Sequence, residues 1–495
     1  MSAARRFRAA VVTAVSALAA GCSLLHPIGP DYRSPAQTDA MLGGASGAPF
    51  SPEAPPGPWW RLYRDPALDR YIDEALRENR DLRAAASRLQ IAQAQLDQAE
   101  AAWLPTTSVT ARAARARDSV PGVPGLHVSN TLSAALGVSY ELDLFGRIRR
   151  STEAATASVD AQQFAFAATQ IRIAASTASA YAGACQSNAA LAVARRTVQV
   201  DADTLETTQR LANGGSASQV DVIRARAQLA SDRARLPVLD AQRTASLYAL
   251  ATLLGRQPDR YPREAAQCAA PPTLAQPMPV GDGLALLRRR PDIAQAERTL
   301  ASATAGIGVA AAGLYPQISI GLSVGAIGTT PANALRANGR TWSVGPLMQW
   351  TFPNRAIADA LLRQAGANAD LAKTNYDATV LNALKETDSA LDAYARELDH
   401  HDQLQQARDD NRAALAQVQR LYGRGATPYL DVLVAQKSLA EAEQQLVDSA
   451  GAIASDQIAV FAALGGGWDD AAQRAAEQAA AAAASRRDGA PAARP

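Results

Sequence analysis

The chain has 495 residues, with 49 Lys and Arg against 47 Asp and Glu, a net charge of +2. That balance offers no basic surface for nucleic acid, and three cysteines are too few for a disulfide scaffold. Apolar residues reach 48% with only 5% aromatics, so much of the apolar content is alanine, the strongest helix former, and long, closely packed helices are expected.

The N-terminus is basic at Arg5, Arg6 and Arg8 and then apolar from Ala9 to Ala20. This is the layout of a secretory signal, too short for a spanning anchor. It ends Leu18-Ala19-Ala20-Gly21-Cys22, which resembles a bacterial lipobox, with cleavage after Gly21 and acyl chains added at Cys22. Two or more chains give stable anchoring. Ser23 replaces the aspartate that tends to hold lipoproteins at the inner membrane, which points to the outer one. Residues 23–58 are rich in Pro, Gly, Ser and Ala and read as an extended leader. Beyond the signal no run of 18 or more apolar residues occurs, so no spanning helix is expected.

The remainder is a duplicate of itself. Leu82, Ala85, Leu89, Ala92, Leu96, Ala99 and Trp103 form a seam spaced by three and four. At an offset of 211 stand Ile293, Ala296, Leu300, Ala303, Ile307, Ala310 and Leu314. A proline follows each seam, Pro105 and Pro316, and ends the helix. Period two then replaces the helical period. Leu132, Ala134, Leu136, Val138, Tyr140 and Leu142 alternate with small and polar residues, as do Ile318 to Ala326 and Trp342 to Phe352. Such strands suit a barrel with lipid outside and water inside, although alternation alone also fits a soluble sandwich. Loops are expected at 119–129 and 329–340. Four strands cannot close a barrel, and open edges are not viable in lipid, so two or three copies must combine.

Each strand pair leads into a helix free of proline, from about Arg147 to Leu211 and from about Ala356 to Leu421, on the order of 100 Å long. The chain turns at Asn213-Gly214-Gly215 and again at Gly423–Gly425, and return helices follow. Leu211–Val222 matches Leu421–Val432 at an offset of 210, with Gly215 on Gly425 and Asp221 on Asp431. The boundaries expected are a signal peptide at 1–21, a lipidated leader at 22–66, repeat one at 67–256, a linker at 257–281, repeat two at 282–468 and an Ala-rich tail at 469–495. Strand pairs fall at 104–144 and 315–352, and tip turns at 213–216 and 423–427.

Few residues suggest site chemistry. His400 and His401 are adjacent on a helix and do not share a face. Gly306 and Gly308 lie inside a heptad helix rather than after a strand, so they make no dinucleotide loop. No catalytic constellation and no metal cluster is expected. The run Arg288–Arg290 reads as a salt-bridged helix start or an anion site. Cys185 and Cys268 are two thiols bound for an oxidising compartment; they pair, or remain as two buried thiols.

On these residues the chain resembles the TolC-like outer-membrane factors, in the lipoprotein branch that includes NodT and OprM. The resemblance is carried by Cys22, Gly29-Pro30-Asp31-Tyr32, Trp59-Trp60, Leu287 through Ile293, Ala296-Glu297, Leu314-Tyr315-Pro316, Gly425, and Tyr429 through Leu433, and it covers Leu18 to Gly465. It implies a mixed α/β membrane protein: a TolC-like trimer whose 12-stranded β-barrel, four strands per chain, continues into a long periplasmic α-helical barrel. It implies the outer-membrane channel of a tripartite resistance-nodulation-division (RND) efflux pump, a passive exit duct for drugs and other small toxic compounds. Its partners would be two further copies, a periplasmic adaptor, an inner-membrane RND transporter and outer-membrane lipid, and nucleic acid would not be one. Lipid on Cys22 would be the one covalent group, with no other cofactor. The tips, Gly214, Gly215, Ser216 and Asp221 with Gly423, Gly425, Thr427 and Asp431, would close the tunnel and meet the adaptor. Relatives often carry an acid at the position of Thr427, so Asp431 is the candidate for a charge ring, or else a helix-start carboxylate favoured by the dipole. Other readings are a heavy-metal or type I secretion duct, and a structural coiled-coil lipoprotein without a pore.

Overall fold

A computed structural model describes residues 27–35, 49–120, 123–281, 289–350, 352 and 355–466. Cys22, Leu287, Arg288 and the tail at 469–495 lie outside these residues. The chain divides into a sheet unit (Met1–Ala36, Arg88–Gln163, Ala294–Ala378) and a helical unit (Gln37–Ser87, Phe164–Ile293, Thr379–Pro495).

In chain order, the elements are β1 (Phe50–Ser51), α1 (Pro66–Glu78), α2 (Arg80–Ala101), β2 (Thr106–Val120), β3 (Val123–Leu142), α3 (Arg147–Asn213), α4 (Gln219–Leu253), β4 (Met278–Pro279), α5 (Pro291–Ala312), β5 (Gln317–Gly328), α6 (Pro331–Leu335), β6 (Arg340–Gln349), α7 (Arg355–Gly423) and α8 (Tyr429–Ala463). The 67 residues of α3 contain no proline and only one glycine. Its many hydroxyls bond within the helix. Thr177 Oγ1 donates to the Ile173 carbonyl at 2.7 Å and Thr208 Oγ1 to Thr204 at 2.8 Å. Both threonines are fully buried, and this back-bonding meets their polar atoms without a partner elsewhere. Return helix α4 tolerates Pro237 inside it, which forfeits one backbone bond.

Helix ends repeat with the sequence. Gly215, Gly255, Gly425 and Gly465 all take positive φ, from +69° to +76°. After α3 the Ser216 N–H donates to the Leu211 carbonyl at 2.8 Å; after α7 the Ala426 N–H donates to Leu421 at 2.9 Å. This is the glycine-dependent closure of a helix C-terminus.

The sheet has order β2-β3-β5-β6, all antiparallel, and β2 and β6 are its edges. Its first hairpin differs from expectation. Residues 119–129 are not an open loop: β2 runs to Val120, β3 starts at Val123, and the ladder continues through Arg117↔Val128 and Ser119↔Leu126. The two strands outrun β5, whose last partner is Leu132↔Gly328. A two-stranded ribbon with no core beneath it has no reason to alternate, so periodicity did not reveal it. The expected loop at 329–340 contains α6 and a 3-10 turn, Ala337–Gly339.

The leader, expected at 22–66 with an extended stretch at 23–58, contributes to the fold within those bounds. Trp59–Tyr63 form a 3-10 turn with Trp59, Trp60 and Tyr63 buried, and Trp59 stacks on Phe461 at 4.8 Å. With Leu68, Ile72, Leu247, Leu250 and Ile458 they make the core of the helical unit. Phe50–Ser51 pair in parallel with Met278–Pro279. Apolar burial, the largest stabilising term in folding, thus begins before residue 66.

In the sheet unit, residues 27–35 are strapped down. Gly29, at φ +101°, approaches Gly308 so closely that an added Cβ would lie 2.5 Å from the Gly308 Cα. Asp31 pairs with buried Arg150 at 2.6 Å. Tyr32 and Ser34 donate to Glu297 at 3.0 and 2.7 Å, and Arg298 lies over the Tyr32 ring. Gly308 is therefore a packing glycine.

Candidate functional site

Two sets of residues bear on function, one in each unit. In the sheet unit, register decides which side chains share a face. The rows Leu142–Ile318–Met348, Val138–Leu322–Val344 and Leu136–Val324–Trp342 run across the sheet, and Val109 extends the last of them onto β2. Val109, Leu136, Leu322, Val324, Trp342 and Met348 are all exposed. From Ile318 to Ala326 the apolar face extends roughly 27 Å along the strands, which after barrel tilt suits an apolar band of about 25 Å. The opposite face carries Ser108, Gly137, Ser139, Gly321, Ser323 and Ser343, and Ser323 Oγ bonds Ser343 Oγ at 2.8 Å. Leu347 and Ile327 are exceptions on that face. Trp350 and Phe352 stack at 4.9 Å, and both are exposed. Aromatics in such a position favour a membrane–water boundary.

In the helical unit, the two tips are built alike but capped differently. Ser218 caps α4: its Oγ accepts from the Asp221 N–H at 3.2 Å, and Asp221 Oδ2 accepts from the Ser218 N–H at 3.2 Å. Arg224 stands 3.8 Å from Asp221. At the equivalent position of the second tip, Pro428 has neither N–H nor hydroxyl to offer, and the Thr427 hydroxyl bonds Asp431 Oδ2 instead. Both aspartates are thus bound into the first turn of a return helix, where a carboxylate also favours the dipole. Thr427 is the partner of Asp431.

Behind the tips, α8 is laced to α3. Tyr429 Oη donates to the Thr204 carbonyl at 3.4 Å, and Gln436 Nε2 to Thr204 Oγ1 at 3.2 Å. Nearby Asp201 of α3 and Asp232 of α4 are both buried. Burial first, and then the hydrogen bond and charge of Asp232, push the Asp201 carboxyl up to about 7. Gln228 donates to Asp232 at 2.6 Å, Arg235 stands 3.6 Å away, and Tyr429 faces Asp201 from α8. This pair was not legible in the sequence, because 31 residues and a reversal of chain separate two ordinary aspartates.

Other singled-out residues fall as follows. Cys185 and Cys268 form a disulfide with Cα atoms 4.9 Å apart, and Asn188 Nδ2 donates to the Cys268 carbonyl at 3.0 Å. Arg290 is buried and makes bonds to Asp292, to Glu386 at 3.0 Å and to the Ala463 carbonyl at 2.8 Å. It staples the start of α5 to the end of α8, with four of its five N–H donors engaged. His401 Nδ1 bonds Ser449 Oγ at 3.2 Å, and His400 Nδ1 lies 3.2 Å from Glu397. No metal-ligand cluster occurs among the described residues.

Residues 71–256 and 285–466 match the family model described as outer membrane efflux protein. The chain is 28% identical over 459 residues to Nodulation protein T of Rhizobium leguminosarum, covering 92% of this chain and 96% of that one. It is 30% identical to a toluene efflux pump outer membrane protein, TtgC, of Pseudomonas putida, over 90% of this chain and 93% of that one. Among solved structures it is similar to the outer-membrane channel OprN, with TM-score 0.85 and 32% identity over 89% of this chain and 99% of that chain.

Proposed function

The chain belongs to the outer membrane efflux protein family, as an outer-membrane channel with a periplasmic extension, and we propose that three copies close one twelve-stranded barrel as the exit duct of a tripartite RND pump. The observation that carries this is the sheet. Four strands with two unpaired edges and an exposed apolar face are not viable in lipid until the edges pair. Three copies of four strands give twelve, with the serine- and glycine-rich face lining the lumen. The duct conducts passively and carries out no catalysis. Lipid on Cys22 is its only covalent group.

A periplasmic adaptor and an inner-membrane RND transporter complete the pump, with the adaptor meeting the tips at Gly214–Ser216 and Gly423–Thr427. The cargo is drugs and other small toxic compounds. The toluene pump in the name of the relative from Pseudomonas putida supports this.

The test is detergent-corrected mass of the purified protein together with single-channel conductance in planar bilayers. A trimer that conducts weakly, and conducts more once the Tyr429–Thr204 link is cut by Tyr429→Phe, is expected. A monomer, or a trimer that never conducts, overturns the reading.

A further inference from the structure

The outward face of the sheet does not stay apolar to its end. Past Val109 the outward series on β2 continues Ala111, Ala113, Arg115 and Arg117, paired with Ala134, Leu132, Asn130 and Val128. On β6, the residue in the row of Ala326 is Arg340. All three arginines are exposed, and no ion pair among the described residues engages them. Arg115 and Arg117 lie about 7 Å apart on one side of the strand.

Below Arg115 and Arg117, and level with Arg340, is a groove of about 510 Å³. Its floor is Ala111, Ala113, Leu132, Ala134 and Ala326, interrupted by Arg112 and Ser133, and Leu335 of α6 forms a wall. These small residues sit one and two rows above the bulky Val109–Leu136–Val324 row, so the face is recessed there. Helix α6 is held over the outward side by close backbone contact: a Cβ on Gly328 would lie 2.4 Å from the Ala334 nitrogen. The groove and the arginines are at the hairpin end of the strands, remote in each strand from the long helices α3 and α7.

We propose that this groove and rim bind a phosphorylated glycolipid of the outer leaflet, with an acyl chain over the alanine floor and phosphates on Arg115, Arg117 and Arg340. An arginine on a lipid-facing surface needs an anion where the apolar band ends, and planar guanidinium forks suit phosphate oxygens. Arg115 and Arg117 stand on one edge strand and Arg340 on the other. Closing the ring of copies therefore sets the β6 edge of one copy, which carries Arg340, beside the β2 edge of the next. The proposal rests on the barrel reading above and goes beyond it in assigning the lipid.

The experiment uses the full-length assembly in neutral-detergent micelles, after its trimer mass has been verified. Native mass spectrometry then measures retention of bis-phosphorylated lipid A, dephosphorylated lipid A and phosphatidylglycerol. Selective retention of the bis-phosphorylated form is expected. In R115Q/R117Q/R340Q it should weaken by on the order of fivefold per arginine, and Ala134→Phe should weaken it by filling the groove with all three arginines intact. Equal retention of the dephosphorylated form overturns the phosphate contact, and equal retention of phosphatidylglycerol overturns the glycolipid assignment. The wild-type comparison stands even if a variant does not assemble. A protein that is not trimeric before any lipid is added fails the barrel reading and this proposal with it; a trimer without lipid preference fails this proposal alone.

Discussion

At the scale of single residues, the Asp201–Asp232 pair ties stability to pH. Two buried carboxylates cannot both ionise cheaply at close range. The carboxyl of Asp201 has an ordinary value of 3.8 and is held at about 7 in the folded chain. The folded state therefore binds a proton that the unfolded chain has already released between those values. Its stability should fall as pH rises from about 4 to about 7, with the penalty fully present above that window. Asp201→Asn removes the proton exchange, so thermal midpoints measured across this range should flatten in the variant. A wild-type midpoint that rises through the window would count against a shared proton. The disulfide acts on the unfolded chain instead. Cys185 and Cys268 are 83 residues apart, and replacing both by alanine should cost about 2–4 kcal/mol in denaturant unfolding.

At the scale of elements, the tips rest on glycine conformation and on caps. An added Cβ at Gly215 or Gly425 would meet nothing within 4 Å, so positive φ is what demands glycine there. Gly425→Ala should destabilise the α7–α8 turn by about 1 kcal/mol, seen as faster amide exchange confined to the tip. Asp431→Ala should loosen the same turn by removing the acceptor of the Thr427 hydroxyl. Much of this was legible beforehand: the seam at Leu82, Ala85 and Ala92, the alternation at Ile318 to Ala326 and the paired glycines at an offset of 210 all follow from local periodicity or from duplication. The ribbon at 118–127 was not, because a two-stranded hairpin without a core imposes no pattern. Nor were the burial of Trp59 or the Gly29–Gly308 contact, which depend on partners 402 and 279 residues away.

At the scale of the whole molecule, each central strand residue meets one of two solvents. Leu322 lies on the apolar face between Val138 and Val344, whereas Ser323 lies on the polar face between Gly137 and Ser343. Arginine at Leu322 should cost about 2–4 kcal/mol near the bilayer midplane and sharply lower the yield of inserted assembly. Arginine at Ser323, one residue on, should leave insertion intact and change conductance. The measurement is trimer recovered from membranes together with unitary current. Equal loss at both positions would mean that the two faces do not separate lipid from water.

The strap formed by Gly29, Asp31 and Tyr32 has a further consequence. Four residues separate Cys22 from Pro27, where the described chain begins, and the five steps fully extended reach at most roughly 17 Å. With Cys22 acylated as proposed, each unassembled copy is kept on a short leash, its strands close to the membrane they must enter. Three such copies search for one another by diffusion on a surface rather than through a volume, at a local concentration the leash sets. Removing the anchor by Cys22→Ser would then slow assembly while leaving the finished channel unchanged.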